Sequence, residues 1–242
     1  MTDTTFIFDV DGTLTPSRGQ MDPEFQEFFV KYLMSRHDVY LVTGSDYPKT
    51  VEQVGQYICE NVKAVFNCSG NHIWKNGKVT YESDWSLPDH MLEWLQIELL
   101  NSTFPLRTGK HYDQRVGLFN FSIVGRNAHL AERKMYKDFD KSFEERETIA
   151  RFFNENFITE GVIAQVAGET GLDIIPVDCM KDQVLEYLPE KNITFFGDKM
   201  QEGGNDYPLK KAIEAEVQNG AAIEVQNWKD TYEILQIMVY NS

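Results

Sequence analysis

Short, largely apolar runs that stop abruptly at polar residues recur near both ends of the chain. Each reads as a buried parallel strand whose C-terminal end opens into a loop. Phe6-Ile7-Phe8 stops at Asp9, Val39-Tyr40-Leu41-Val42 at Thr43, and Ile193-Thr194-Phe195-Phe196 at Gly197-Asp198. After the first run, Asp22 is placed to cap a helix with Pro23 at its first position, and Phe25, Phe28, Phe29, Tyr32 and Leu33 recur at helical spacing. A second helix is expected to run through Val54 and Ile58, and Ala64-Val65-Phe66 supplies a third strand. The order βαβαβ predicts a doubly wound sheet.

At Asn76-Gly77, a hairpin turn signal, the texture changes. A helix is predicted from Pro88 to about Leu100. Residues 116–124 then alternate Phe119, Phe121 and Ile123 with Asn120 and Ser122, as a strand with one wet face would. A helix near residues 142–157 carries Ile149, Phe152, Phe153 and Phe157, and further β-runs follow at 162–166 and 172–175. This block reads as an antiparallel α+β insert. The βα rhythm resumes at Ile193, continues with a strand at 221–225 and closes with a helix bearing Ile234, Leu235 and Met238. The expected organisation is a discontinuous α/β core, residues 1–79 and 179–242, interrupted by one inserted domain at 80–178.

Composition narrows the partners. With 42% hydrophobic residues the 242-residue chain can bury a sizeable core. Thirty-eight acidic against twenty-three basic residues leave a formal charge of -15, which repels nucleic acid and acidic membrane surfaces. Cys59, Cys68 and Cys179 are odd in number and lack CxxC spacing, as suits reduced thiols in the cytoplasm. Residues 1–7 lack the basic start and apolar stretch of a signal peptide, and no apolar run approaches membrane-spanning length. The expectation is a cytoplasmic protein without nucleic-acid or membrane partners.

The candidate chemistry lies in three loops just past predicted strand ends: Asp9-Val10-Asp11-Gly12-Thr13, Thr43-Gly44-Ser45, and Gly197-Asp198 with Gly203-Gly204-Asn205-Asp206. Such loops converge on one crevice of a twisted parallel sheet. Asp9 and Asp11, joined by Asp198 and Asp206, would form an oxygen-rich pocket for Mg2+. Asp9 could then attack phosphorus in line and become an aspartyl-phosphate, while Asp11 protonates the leaving oxygen and deprotonates the attacking one. The hydroxyls of Thr43 and Ser45 would bind phosphate oxygens, and Lys181 would supply a fixed positive charge. Plainer readings exist: two solvated loop carboxylates, two turn formers and a surface lysine. The apolar strand before Asp9, and Gly12-Thr13-Leu14-Thr15 after it, favour the catalytic one.

From Phe8 to Pro16 the chain resembles the first motif of the haloacid dehalogenase-like phosphotransferases, and along nearly its whole length it resembles the eukaryotic-type phosphomannomutases. The stretches that carry this are residues 9–18, 42–46, 115–133, 168–181 and 195–206. The resemblance implies a Rossmann-like core with an inserted α+β cap domain, and a homodimer formed through the cap. It also implies a hexose monophosphate substrate, Mg2+, and a hexose 1,6-bisphosphate that acts as activator and intermediate. By matching position, Arg18, Arg115, Arg126, Arg133 and Asp173 correspond to the family's sugar-phosphate contacts, with Asn120 beside them. Guanidinium groups suit this task, because a mutase must grip the phosphate that is not being transferred. Taken singly, Arg126 and Arg133 read more readily as solvated residues or partners of Glu132, Asp138 and Asp140; four arginines that all match one family do not.

Several positions depart from the family. Val116 stands where Asn usually follows the arginine, Gly171 replaces a substrate-contacting Ser, and Thr43 replaces a Gly in the manner of the superfamily's phosphatases. Residues 207–210 also differ, which counts against a further structural metal site there. The expected activity is that of a phosphohexomutase interconverting mannose 6-phosphate and mannose 1-phosphate. A sugar-phosphate phosphatase and a non-catalytic sugar-phosphate-binding protein are the alternatives.

Overall fold

The computed structural model describes residues 4–188 and 192–240; the first three residues, on which part of the signal-peptide reading rests, lie outside them. The chain forms two compact units, one made of residues 1–82 with 180–242 and the other of 83–179. The elements of the first segment are β1 (Thr5–Phe8), α1 (Pro23–Phe28), β2 (Asp38–Val42), α2 (Tyr47–Val54), α3 (Gln56–Asn61), β3 (Ala64–Asn67), β4 (His72–Lys75) and β5 (Lys78–Glu82). The inserted unit holds α4 (Asp89–Asn101), β6 (Tyr112–Arg115), β7 (Leu118–Phe121), α5 (Leu130–Phe143), α6 (Glu145–Phe157), β8 (Val162–Ala167) and β9 (Gly171–Pro176). The chain then returns to the core through β10 (Ile193–Gly197), α7 (Tyr207–Glu216), β11 (Ala221–Glu224) and α8 (Trp228–Tyr240).

The core is a sheet in the order β11-β10-β1-β2-β3-β4-β5, parallel from β11 to β3, with β4 and β5 added antiparallel. All four residues of β1 are buried, as a central strand covered on both faces requires. Phe8 stacks on Phe196 at 5.1 Å and meets Phe29 edge-on at 5.2 Å. Burying each such ring stabilises the fold by about 1.5–3 kcal/mol over leaving it exposed. The Asp22 carboxylate accepts hydrogen bonds from Glu24 N and Phe25 N, capping α1 as expected, and the helix runs on as π-helical turns from Phe29 to Met34.

Four local features differ from the sequence reading. The helix expected through Val54 and Ile58 is broken at Gly55, whose φ of +90° only glycine adopts readily, and Gln26 Nε2 caps the freed carbonyl of Val54 at 2.8 Å. Helix α5 lies where no helix was expected and ends at Glu144 in a left-handed conformation, so the predicted helix from residue 142 is in fact the end of α5 and all of α6. Its apolar stripe is thin: Arg133 and Tyr136 are its buried residues. Helix α7 was likewise not anticipated, since it buries just Leu209 and Ile213. Finally, the polar face of β7 is not wet. Asn120 and Ser122 are buried, with Asn120 Nδ2 donating to Leu172 O at 3.1 Å and Ser122 Oγ to Thr170 O at 2.8 Å.

The inserted unit is a four-stranded antiparallel sheet in the order β6-β7-β9-β8. Its core gathers Phe119, Phe121 and Ile174 from the strands with Leu95, Tyr136 and Phe153 from the helices.

Candidate active site

Asp9 follows β1 directly, and its backbone N–H donates to Phe196 O at 2.9 Å, which fixes it at the C-terminal edge of the sheet. Val10 and Leu14 are fully buried and anchor the loop, while the Val10 carbonyl accepts from the N–H groups of Thr13, Leu14 and Thr15. Gly12 has a φ of +88°, and a Cβ there would lie 2.5 Å from Asp198 Oδ2. The loops after β1 and β10 approach this closely because residue 12 has no side chain.

Oxygens of Asp9, Asp198 and Asp206 lie within 4.8 Å of one another. Lys181 Nζ donates to Asp9 Oδ1 and to Asp206 Oδ1, each at 2.6 Å, and both Lys181 and Asp206 are fully buried. Asp206 Oδ2 also accepts from Lys199 N at 3.0 Å, and Lys199 Nζ sits 3.6 Å from Asp198 Oδ2. Burial, reinforced by Asp206 and Asp198 and opposed by Lys181, pushes the Asp9 carboxyl up to about 7. Burial also raises Asp198. For Lys181 burial acts to lower the pKa, but the charges of Asp206 and Asp9 outweigh it and hold the ammonium protonated. Asp9 and Asp206 thus share one buried cation, while Asp198 has the more exposed Lys199 beside it. These hard oxygen donors fit a small divalent cation such as Mg2+, which takes one or two carboxylates and keeps its other positions for water and phosphate oxygens.

The charge imbalance predicts a pH dependence. The carboxyl of Asp9 rises from 3.8 to about 7 on folding, so between those values the folded state holds a proton that the unfolded chain has released. In protein stripped of divalent cations, stability should therefore fall as pH rises through this window. Asp9→Asn should flatten the slope, as thermal melts of both proteins in chelator will show; an equal slope in the variant would assign it to other groups.

Asp11 departs from the expected metal set. Its carboxylate does not join the three-Asp cluster but accepts from Arg18 N at 2.7 Å, from Gln53 Nε2 at 2.8 Å and from Ser45 Oγ at 3.3 Å. Those donors draw it along the loop instead. Thr43, fully buried, accepts from Ser45 N at 3.1 Å, the turn-forming contact. Ser45 is half-buried and its carbonyl is held by Asn67 Nδ2 at 3.1 Å. Arg18 is exposed, with a φ of +58°. Gln53 was not singled out in the sequence. Its signal is a polar residue on the buried face of α2, between Thr50 and Val54.

The inserted unit carries a second polar constellation. Asp113, Asn120 and Asp173 are register partners across β6, β7 and β9. Arg115 Nε and Arg126 Nε lie 3.0 and 3.1 Å from Asp113 Oδ2; Arg126 also donates to Asn120 Oδ1 at 2.7 Å, and Asn120 Nδ2 to Asp173 Oδ1 at 2.6 Å. Burial pushes Asp173 up against the opposing influence of Arg115, Asn120 and Arg126. A Cβ on Gly171 would stand 2.9 Å from Asn120 Nδ2, so Asn120 occupies the room a serine there would need. Arg133, which was expected to contact substrate, is buried and pairs with Glu169 at 3.4 Å rather than with Asp113. Asp113 also escaped the sequence reading, although its two-residue offset from Arg115 on a strand puts both on one face.

Comparison with known proteins adds the lineage. The family model described as eukaryotic phosphomannomutase matches residues 25–240. The chain is 33% identical over 214 residues to a phosphomannomutase of Triticum aestivum, covering 84% of each chain. It is also 33% identical over 216 residues to phosphomannomutase 1 of Mus musculus, covering 84% of this chain and 81% of that one. Among solved structures, an IMP-bound mutant of the Plasmodium falciparum IMP-nucleotidase shares the fold with a TM-score of 0.66 at 16% identity, over 98% of this chain and 68% of that one.

Proposed function

Because the chain belongs to the eukaryotic phosphomannomutase family, we propose that it interconverts mannose 6-phosphate and mannose 1-phosphate through a phosphorylated Asp9. The observation that carries this reading is the buried centre in which Lys181 bridges Asp9 and Asp206, with the Asp198 carboxylate close by.

In this reading an Asp9 carboxylate oxygen attacks the phosphorus of a hexose 1,6-bisphosphate, the sugar oxygen leaves, and Asp11 gives that oxygen its proton. A hexose monophosphate then takes the phosphoryl group back from Asp9 through its other hydroxyl, whose proton returns to Asp11. Gln53, Ser45 and the Arg18 N–H hold the Asp11 carboxylate in one place for both transfers. Lys181 offsets negative charge beside the attacking oxygen. A Mg2+ ion held by Asp9, Asp198 and Asp206 would supply further charge neutralisation at the phosphoryl oxygens. In the inserted unit, Arg115, Arg126, Arg133, Asn120 and Asp173 would hold the phosphosugar, with the guanidinium groups on the phosphate that stays in place.

The same reading makes the protein a homodimer through the inserted unit, supported by Leu100 and Leu130, which are 83% and 85% exposed, and by exposed Ile97 and Met135. Among the described residues no helix is long and apolar enough to cross a membrane. We place the protein in the cytoplasm on the number and spacing of Cys59, Cys68 and Cys179, which carry free thiols. Incubation with mannose 1-phosphate, magnesium and a catalytic amount of hexose 1,6-bisphosphate should yield mannose 6-phosphate with little free phosphate. Free phosphate accumulating without mannose 6-phosphate would replace the mutase by a phosphatase.

A further inference from the structure

Two arginines proposed to grip a phosphate ought to repel each other, yet Arg115 and Arg126 converge on one point. That point is Asp113 Oδ2, which both guanidinium groups reach through Nε, at 3.0 and 3.1 Å. The other oxygen, Oδ1, accepts from Lys110 Nζ at 2.6 Å. This is not a surface pair of the usual weak kind. Asp113 and Arg115 side chains are 17% and 19% exposed, and the carboxylate faces three cations.

Asp113 engages both Arg115 and Arg126 through Nε, and the Nη1 nitrogen of Arg126 is placed in addition by Asn120 Oδ1 at 2.7 Å. A guanidinium fixed at one edge presents its other edge with less rotamer freedom to lose when a ligand binds. Although burial opposes it, the bonds from Lys110 and Arg115 and the charges of Arg126 and Arg115 hold the Asp113 carboxyl below its ordinary range.

We propose that Asp113 is a positioning residue that clamps Arg115 and Arg126 side by side for the phosphate of a sugar monophosphate. The clamp rests on the phosphohexomutase reading above. A competing possibility is that Asp113 merely fills the phosphate's place as an internal anion. The two differ in sign: loss of a clamp weakens substrate binding, whereas loss of a competitor strengthens it.

The test is steady-state kinetics of Asp113→Asn, which removes the charge and keeps the shape, beside Arg126→Ala and the parent protein, with mannose 1-phosphate as substrate. Asp113→Asn is expected to raise KM about ten-fold, the scale of one charge-assisted contact, while kcat at saturation stays within about two-fold. An unchanged or lowered KM would overturn the clamp, provided that Arg126→Ala raises KM. If Arg126→Ala leaves KM unchanged, the assignment of these arginines to substrate falls and takes the clamp with it. Should Asp113→Asn melt early, Asp113→Glu keeps the charge but moves it by one methylene; a raised KM supports the clamp and a parental KM overturns it.

Discussion

Asp9→Asn is expected to reduce turnover by at least about 10⁴-fold while the protein stays folded. An asparagine amide has nearly the shape of the carboxylate and can still accept a hydrogen bond from Lys181 Nζ, so the packing at the end of β1 survives. It cannot act as a nucleophile on phosphorus, and the neighbouring carboxylates are engaged: Asp206 by Lys199 N and Lys181, Asp198 by the Lys199 ammonium, and Asp11 by Gln53. The variant should also be the more stable protein above about pH 7 without divalent cations, because it removes a buried charge whose pKa burial has lifted. Turnover and thermal melts on the same samples check both; turnover within about ten-fold of the parent would rule out covalent catalysis at Asp9.

Lys181→Met should damage stability and activity together. The side chains are of similar length, but the substitution leaves Asp9 and Asp206, both buried, without the ammonium that each meets at 2.6 Å. Removing one member of a buried charge pair destabilises by roughly 3–5 kcal/mol, mainly through the uncompensated charge that remains. Because Asp9 can take up a proton near pH 7, the loss should be smaller at pH 6 than at pH 9. Added magnesium should restore part of it, since a bound cation stabilises the folded state by mass action. Urea unfolding with and without magnesium at the two pH values measures this; parental stability in chelator at high pH would contradict the buried pairing.

The core was legible in the sequence because its strands are buried on both faces and therefore read as unbroken apolar runs. Phe6-Ile7-Phe8 and the run ending at Gly197 became β1 and β10, adjacent and in register from Thr5 opposite Ile193 to Phe8 opposite Phe196. Helices with a thin apolar stripe were not legible. In α5, Arg133 and Tyr136 are the buried positions with Phe139 packed beside them, and in α7 Leu209 and Ile213, so few that the charged residues around them mask the pattern. The polar alternation in β7 misled for a related reason. Period two distinguishes faces but not water from a hydrogen-bonded interior, and Asn120 and Ser122 bond to β9 and to the residue before it.

Within the site, position at a strand end singled out Asp9, Asp198 and Asp206, whose carboxylates come together. The same reasoning could not foresee that Asp11, two residues along, would be drawn off by Gln53. Lys181, opening a 3-10 helix beyond the insert, was read as a positive charge for the phosphoryl group, but no local pattern says that its Nζ bridges Asp9 and Asp206. Asp113 was missed because an acidic residue beside arginines looks like an incidental ion pair until the register with Asn120 and Asp173 is known.

The central claim is that Asp9 itself receives the phosphoryl group, and the direct measurement is mass spectrometry of enzyme quenched in acid after brief mixing with hexose 1,6-bisphosphate and magnesium. The expected result is one added phosphoryl group, removed by hydroxylamine, on the peptide that contains Asp9, and none in Asp9→Asn. An enzyme that turns over sugar phosphate with that peptide unmodified, or with the label on another residue, would contradict the account.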